Sequence, residues 1–199
     1  DPLYLMITEL MQDFDASSED ICSNLIDIIL NCEEDFDNEL FSTRIMPKVY
    51  EYTKIYSTST IFFSKACRCI YSLVKSSADN MKRVPAQDVV QVISDGLSVC
   101  GGDAAACCNA CLALGYIVQS SPAAASCAEA AGLERAIMHA VEMHRSSIAV
   151  GKSACVALCL VAERVDMQLS DFQFYTNVTL LQNQCEYESD EFLAFQRVL

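Results

Sequence analysis

A spacing of 44 residues recurs along this chain of 199 residues and constrains its fold more than any other feature. Three segments, 66–70, 110–114 and 154–158, begin with Ala-Cys, and each starts 44 residues after the one before it. The segment 22–26 lies 44 residues before the first of them. In each copy the apolar residues fall at intervals of three or four, on one face of an α-helix. The sequence therefore predicts a stack of similar helical units.

Each long helix is predicted to follow a medium helix and a short one. The medium helices are indicated by apolar residues spaced four apart, which are Val89, Ile93 and Leu97 in one unit and Leu133, Ile137 and Val141 in the next. The short pieces cover 35–42, 77–83 and 121–131. Ser121 and Pro122 suit the start of a helix, and Gly132 suits its end. Pro47 is expected near the start of a medium helix, and Asp103 is expected to cap a long one.

This order of three helices, with a glycine turn at Gly132, resembles the armadillo repeat, an α-solenoid unit of about 40–47 residues. The resemblance covers essentially the whole chain and implies an all-α fold, a right-handed superhelix; HEAT-type repeats are the alternative. It implies one domain over residues 1–199, with repeats at about 1–32, 33–76, 77–120, 121–164 and a partial 165–199. Residues 1–14 would be the second helix of the first repeat, with Leu3, Met6, Leu10 and Phe14 on one side. Neither end carries a polar cap, so we expect a piece of a longer solenoid.

The resemblance also implies a binding groove, because the third helices of armadillo proteins line a concave surface that takes extended or helical peptides. Importin-α-like members hold nuclear-localisation peptides there with a ladder of Trp and Asn, but this chain contains no Trp. The Trp-equivalent positions hold Asn24, Arg68, Leu112 and Val156, and the Asn-equivalent positions hold Ile28, Ser72, Tyr116 and Leu160. With Tyr71 and Lys75, these ten residues form the predicted groove. It is expected to be acidic near Asp20, Asn24 and Asp27, basic and aromatic in the middle, and apolar at the far end.

The net charge of −14 is distributed unevenly. Residues 1–43 hold 12 acidic and no basic residues, residues 44–83 hold eight basic and two acidic ones, and residues 84–199 hold five basic and 13 acidic ones. This acidity argues against binding nucleic acid or anionic membranes, which require clustered Lys and Arg. The longest apolar stretch, 107–118, is too short to insert across a bilayer. Five acidic residues form a patch between two predicted helices: Glu33, Glu34, Asp35, Asp37 and Glu39. This patch is either a contact for a basic partner or a solvated loop.

Twelve cysteines are the unusual part of the composition. Cys107, Cys108 and Cys111 form a CCxxC cluster, but a zinc site would need four converging thiolate or imidazole ligands. Packing is the favoured interpretation, because Cys67, Cys111 and Cys155 share one register position on a crowded helix. A free cysteine serves there as a small apolar residue. No metal site is predicted.

The sequence therefore predicts a scaffold or adaptor that binds a peptide or helix of another protein along the concave face. His139 and His144 are assigned to a solvated helix face, and neither a phosphate loop nor a hydrolase motif is present, so no catalytic residue and no cofactor is predicted. One alternative is a transport receptor or co-chaperone-like regulator that recognises a basic or amphipathic segment. Another is a metal-dependent or enzymatic domain. The expected compartment is the cytoplasm, with the nucleus as the alternative, and the oligomeric state is left open.

Overall fold

A computed structural model of the chain describes residues 6–7, 9–11, 16–32, 39–128, 130–162 and 164. All regular structure in these residues is helical, which confirms the all-α prediction for them. The elements are α1 (Glu19–Leu30), α2 (Glu39–Ile55), α3 (Thr60–Ser76), a 3-10 helix (Ala78–Arg83), α4 (Ala86–Cys100), α5 (Ala104–Ser120), α6 (Pro122–Ala128), α7 (Leu133–Met143) and α8 (Ile148–Ala162). Residues 6–7 and 9–11 are helical too. The predicted fifth repeat, 165–199, lies outside the described residues.

The helices follow the predicted order in two consecutive units. The 3-10 helix, α4 and α5 form one succession of short, medium and long elements, and α6, α7 and α8 form the next. The long helices α3, α5 and α8 begin at Thr60, Ala104 and Ile148, which are 44 residues apart. The 44-residue period of the sequence therefore corresponds to the spacing of successive long helices along the chain.

Several helix ends are formed by the residues that the sequence singles out. Asp103 caps α5, since its Oδ1 accepts a hydrogen bond from the backbone N of Ala106 at 2.7 Å. Pro122 is the first residue of α6, and the hydroxyl of Ser121 accepts a bond from the backbone N of Ala124 at 3.3 Å. Gly132 has a φ of 63°, in the left-handed region that favours glycine. Its predicted place at the end of the short helix is wrong, because α6 ends at Ala128 and Gly132 lies directly before α7.

One predicted boundary is wrong. The sequence suggests a separate short helix over 35–42 and places Pro47 at the start of the following one. Instead α2 runs without interruption from Glu39 to Ile55, with Pro47 in its interior. Pro47 cannot donate the bond that the carbonyl of Thr43 would accept in a regular helix. Because Val49 and Tyr52 just after it are fully buried, tertiary packing stabilises the helix across this defect.

The apolar side of the first helical segment also differs from expectation. Ile7 and Met11 are buried, whereas Met6 is exposed; Leu10 is half-buried against the core, and Leu3 and Phe14 lie outside the described residues. The buried side faces α2, where the hydroxyl of Tyr52 lies 3.4 Å from the carbonyl oxygen of Met11. The predicted stripe was therefore wrong by one residue, because several stripes in this apolar segment satisfy helical spacing equally well.

The long helices pack side by side, and small residues let them approach closely. The most extensive helix contacts among the described residues join α3 to α5 and α5 to α8. A Cβ built on Gly115 of α5 would lie 2.7 Å from the Cα of Ala157 in α8, so the two backbones nearly touch there. Cys67, Cys111 and Cys155 are all buried on these helices, as the packing interpretation predicts.

Polar bridges repeat along the same helices with the same spacing. Asn109 Nδ2 of α5 donates to the carbonyl oxygen and to the hydroxyl oxygen of Ser64 in α3, at 3.1 and 3.0 Å. One repeat later, Ser153 of α8 hydrogen-bonds Cys108 of α5. Since Asn109 and Ser153 are 44 residues apart, and so are Ser64 and Cys108, the two bridges are equivalent contacts. They fix the register between neighbouring long helices.

We expect Gly115→Ala to lower the free energy of unfolding by about 1–2 kcal/mol. The added methyl would overlap the backbone of Ala157, which cannot rotate away as a side chain could, and this overpacking outweighs the gain in helix propensity. Gly102→Ala is the matched control, because nothing lies within 4 Å of its Cβ position. Thermal unfolding followed by circular dichroism should show a drop of roughly 2–8 °C for the first variant and little change for the second. Equal melting temperatures would contradict the close approach of α5 and α8.

Candidate partner-binding surface

Two tyrosines on neighbouring long helices meet in the middle of the predicted groove. The rings of Tyr71 in α3 and Tyr116 in α5 have centroids 5.2 Å apart and are inclined by 62°, an edge-to-face contact. Lys75 Nζ lies 5.7 Å from the centroid of the Tyr71 ring and 3.4 Å from its hydroxyl. We call Tyr71, Tyr116 and Lys75 the aromatic centre. Both rings are half-buried, and the lysine is exposed.

Two further residues of the predicted groove lie beside the aromatic centre, each one helical turn before one of the tyrosines. Arg68 precedes Tyr71 by one turn and is exposed, and Leu112 precedes Tyr116 by one turn and is half-buried. The five residues thus present a guanidinium, an ammonium, two phenol rings and an apolar side chain on two adjacent helices. The tyrosines and the arginine are of the residue types that are enriched among the anchor residues of protein interfaces.

The other predicted groove residues differ in how much of their surface is exposed. Asn24 and Ile28 on α1 are exposed, and each can reach a ligand. Ser72, Val156 and Leu160 are buried, so they present little surface to a ligand. The broad apolar surface expected at the far end of the groove is correspondingly small.

The acidic end of the groove is partly neutralised. Lys65 of α3 reaches back to α1, where its Nζ lies 2.6 Å from Asp27 Oδ2 and 3.0 Å from the hydroxyl of Ser23. Asp20 is exposed. Of the predicted acidic patch, residues 33–38 lie outside the described residues, and Glu39 is known only as the start of α2.

The described cysteines are free and are mostly buried. Burial raises the pKa of Cys107 to about 11 and also raises the pKa values of Cys67, Cys108, Cys111 and Cys127. Burial thus disfavours the thiolate, which is the form of cysteine that acts as a nucleophile. No three His, Cys, Asp or Glu side chains in the described part of the chain converge in a way that could hold a metal ion.

The two histidines differ from each other. His139 is exposed on α7, as predicted. His144 is half-buried at the end of α7, and its Nε2 donates to the carbonyl oxygen of Gly101 at 2.8 Å. His144 therefore joins the turn after α7 to the turn after α4, a structural role that the sequence pattern does not reveal.

A cleft of about 410 Å³ lies between α4 and α7, away from the predicted groove. Its wall carries the exposed groups Asp95, Arg135 and His139. The hydroxyl of Ser94, also in the wall, is buried and has no hydrogen-bond partner. Sequence reasoning missed this cleft because its residues come from two helices with no shared motif.

Comparison with profiles of protein families, with curated proteins and with solved structures gives no match. The likeness to armadillo repeats therefore rests on the sequence period and on the order and packing of the helices. Within the described ranges, no helix combines the length and the apolar character needed to cross a membrane.

We expect thiol alkylation of the native protein to follow burial. At pH 8, Cys32, Cys108 and Cys127, which are partly exposed, should react with iodoacetamide first. The protected group should comprise Cys22, Cys67, Cys69, Cys100, Cys107, Cys111, Cys155 and Cys159. Peptide mapping by mass spectrometry measures each site, and a urea-unfolded sample in which all sites react is the control. Labelling of Cys67 or Cys111 as fast as Cys32 would contradict their packing role.

We expect the protein to lose stability in alkaline solution. An unfolded cysteine has a pKa of about 8.5, whereas the buried Cys107 thiol has a pKa of about 11 in the folded chain. The unfolded state therefore gives up protons first, and the stability that is present below pH 8.5 is lost as the pH rises towards 11. The melting temperature should be level from pH 6.5 to 8 and should fall from pH 9 to 11. The melting temperature of Cys107→Ala should fall less steeply over this range. If it fell as steeply as that of the wild type, Cys107 would not be a cause of the alkaline loss of stability.

Proposed function

We propose that this chain is a protein-binding scaffold whose long helices form a right-handed, armadillo-type superhelix, with a HEAT-type arrangement as the alternative. The side-by-side packing of α3, α5 and α8 at intervals of 44 residues supports this arrangement. In it, α1, α3, α5 and α8 line the concave face, and the face binds an extended or helical segment of another protein. The free cysteines fit a reducing compartment, the cytoplasm or the nucleus.

The aromatic centre is the observation that carries this proposal. Tyr71 and Tyr116 are only half-buried, so each keeps part of its surface accessible to a ligand. Their edge-to-face contact holds the two rings in place, so little side-chain entropy is lost when a ligand binds. Tyrosine and arginine dominate the binding energy of many interfaces, and Arg68 lies one turn away.

The charges around the centre favour a ligand that combines carboxylates with apolar side chains. Arg68 and Lys75 are both exposed and cationic, and a guanidinium binds a carboxylate through two parallel hydrogen bonds. Ile28 and Leu112 offer apolar contacts on the helices to either side. A basic ligand, one of the two kinds of segment that the regulator alternative would recognise, is less favoured because Lys65 already pairs with Asp27. An enzymatic role has less support, since the exposed groups of the groove include no nucleophile beside a base.

A peptide-display selection tests the proposal. Random 12-residue peptides selected on the immobilised protein should be enriched in Asp or Glu together with Leu, Phe or Ile. The variant Arg68→Ala with Tyr116→Ala should bind the best peptide roughly 30-fold more weakly, since loss of an anchor costs about 2 kcal/mol. Titration calorimetry gives the affinity.

The matched control is Arg135→Ala, which removes an exposed arginine from α7, outside the groove. It should bind the peptide as the wild type does. Circular dichroism must show that the double variant keeps its helices. Enrichment of Lys- and Arg-rich peptides would favour the regulator alternative, and unchanged affinity in the double variant would exclude the aromatic centre as the binding site.

A further inference from the structure

The long helices α3, α5 and α8 differ in charge from the rest of the chain. None of the three contains an Asp or Glu residue, although the chain as a whole has 27. Together they carry four cations, which are Lys65, Arg68, Lys75 and Lys152. Lys65 is paired with Asp27 of α1. An acidic ligand thus meets no carboxylate on these helices and finds exposed cations at Arg68 and Lys75.

The described carboxylates around these helices do not cancel this charge. Asp79, in the 3-10 helix after α3, pairs with Lys82 at 2.7 Å. Glu19 begins α1 and accepts a hydrogen bond from the residue before α3, and Asp103 caps the start of α5. These acids at the starts of helices lie at the opposite end from the aromatic centre, which is near the ends of α3 and α5.

The chain leaves α8 at the same end of the helices as the aromatic centre. The Asn109–Ser64 bridge joins the starts of α5 and α3, and the aromatic centre joins their ends, so the two helices run parallel. The same register joins α8 to α5. Ala162 ends α8, and the equivalent position of α3 is Val74, next to Lys75. The part of the chain after α8 therefore starts two helices away from the aromatic centre.

Residues 186–195 have the composition that the groove favours. They read Glu-Tyr-Glu-Ser-Asp-Glu-Phe-Leu-Ala-Phe, so four carboxylates precede Phe192, Leu193 and Phe195, and no Lys or Arg is present. The segment begins 22 residues beyond Arg164. An extended chain of that length spans about 70 Å and a helical one about 33 Å, whereas two interhelical distances amount to about 20 Å. Residues 186–195 can therefore reach the aromatic centre of their own molecule.

The acidic patch is the other run of carboxylates that could bind these cations. Its residues 33–38 lie between α1 and α2 and include one apolar side chain, Phe36. The segment 186–195 combines its carboxylates with several aromatic and aliphatic side chains. Because the aromatic centre and Leu112 present phenol rings and apolar surface beside the cations, the segment 186–195 matches the groove better.

We propose that residues 186–195 bind the aromatic centre of their own chain and occupy the groove until a partner segment displaces them. The carboxylates pair with Arg68 and Lys75, and the apolar residues pack on Tyr116 and Leu112. Tethering supplies an effective concentration on the order of 1 mM, so a free-peptide dissociation constant of about 100 μM would keep roughly nine in ten grooves occupied. This inference rests on the proposed function, since it uses the same groove, and adds control of access to it.

Carbodiimide cross-linking of the full chain tests the contact, because the reagent joins a carboxylate to a lysine amine only when the two groups touch. Mass spectrometry of the monomer band should show Lys75 joined to one of the carboxylates of residues 186–191. Lys75→Arg keeps the charge but removes the reactive amine, so these products should disappear. The Lys65–Asp27 product should form in both proteins and is the internal control.

Three cross-linking results would overturn the proposal. One is a product between Lys75 and residues 33–38 in place of residues 186–191, which would make the acidic patch the occupant. Another is a product of residues 186–191 with Lys152 alone, which would place the segment on α8. The third is a product found only in a dimer band, which would mean that the segment binds a second copy.

A synthetic peptide of residues 186–195 measures how far the groove is occupied. The full chain with Glu186→Gln, Glu188→Gln, Asp190→Asn and Glu191→Gln should bind this peptide about 10-fold more tightly than the wild type, because its own segment no longer competes. The matched control carries Glu163→Gln, Asp166→Asn and Asp171→Asn, which neutralise carboxylates nearer to α8. It should bind the peptide as the wild type does, and circular dichroism checks that both variants are folded.

The same titrations separate failure of this inference from failure of the proposed function. Equal affinity of the wild type and the neutralised variant for the peptide would exclude self-occupation. If the neutralised variant binds peptides from the display selection but not the 186–195 peptide, the groove is a binding site and this segment is not its ligand. If it binds neither, both the inference and the proposed function are wrong.

Discussion

The close contact between consecutive long helices is the constraint on which the rest of this structure depends. At Gly115 and Ala157, the backbones of α5 and α8 approach until no additional carbon fits between them. Buried cysteines occupy another repeated position, on α3, α5 and α8. A larger side chain at these positions would force the helices apart, and each displacement would be carried on to the next unit, because each unit packs on its neighbours. The small residues therefore set the shape of the whole stack.

The same contact determines where functional groups can lie. Once the long helices are in register, residues 44 apart fall in rows, and each row is a surface feature of its own. One row brings Lys65, Asn109 and Ser153 to the boundary with the preceding helix, where they bind it. Another leaves Ile55, Val99 and Met143 exposed at the ends of the medium helices. Contacts between helices and exposed apolar residues thus both follow the 44-residue period, at different positions within the unit.

Much of the local structure could be predicted from sequence, because it depends on neighbours in the chain. The capping by Asp103, the start of α6 at Pro122 and the left-handed Gly132 follow from backbone chemistry at those residues. The burial of Cys67 and its equivalents follows from the period. The continuity of α2 through Pro47 and the bond from His144 to a neighbouring turn depend on packing between units, which no local pattern encodes. The burial of part of the groove could not be predicted for the same reason.

The distribution of charge bears on the ligand proposed for the aromatic centre. A chain with a net charge of −14 repels acidic ligands at long range, yet within a Debye length of about 10 Å the local charges decide what can dock. Around the aromatic centre, the exposed Arg68 and Lys75 have the opposite sign to the molecule as a whole, so the proposed acidic segment would meet cations there. Salt screens this close attraction as well as the general repulsion. Because the two cations lie nearest to the ligand, added salt should weaken the proposed contact.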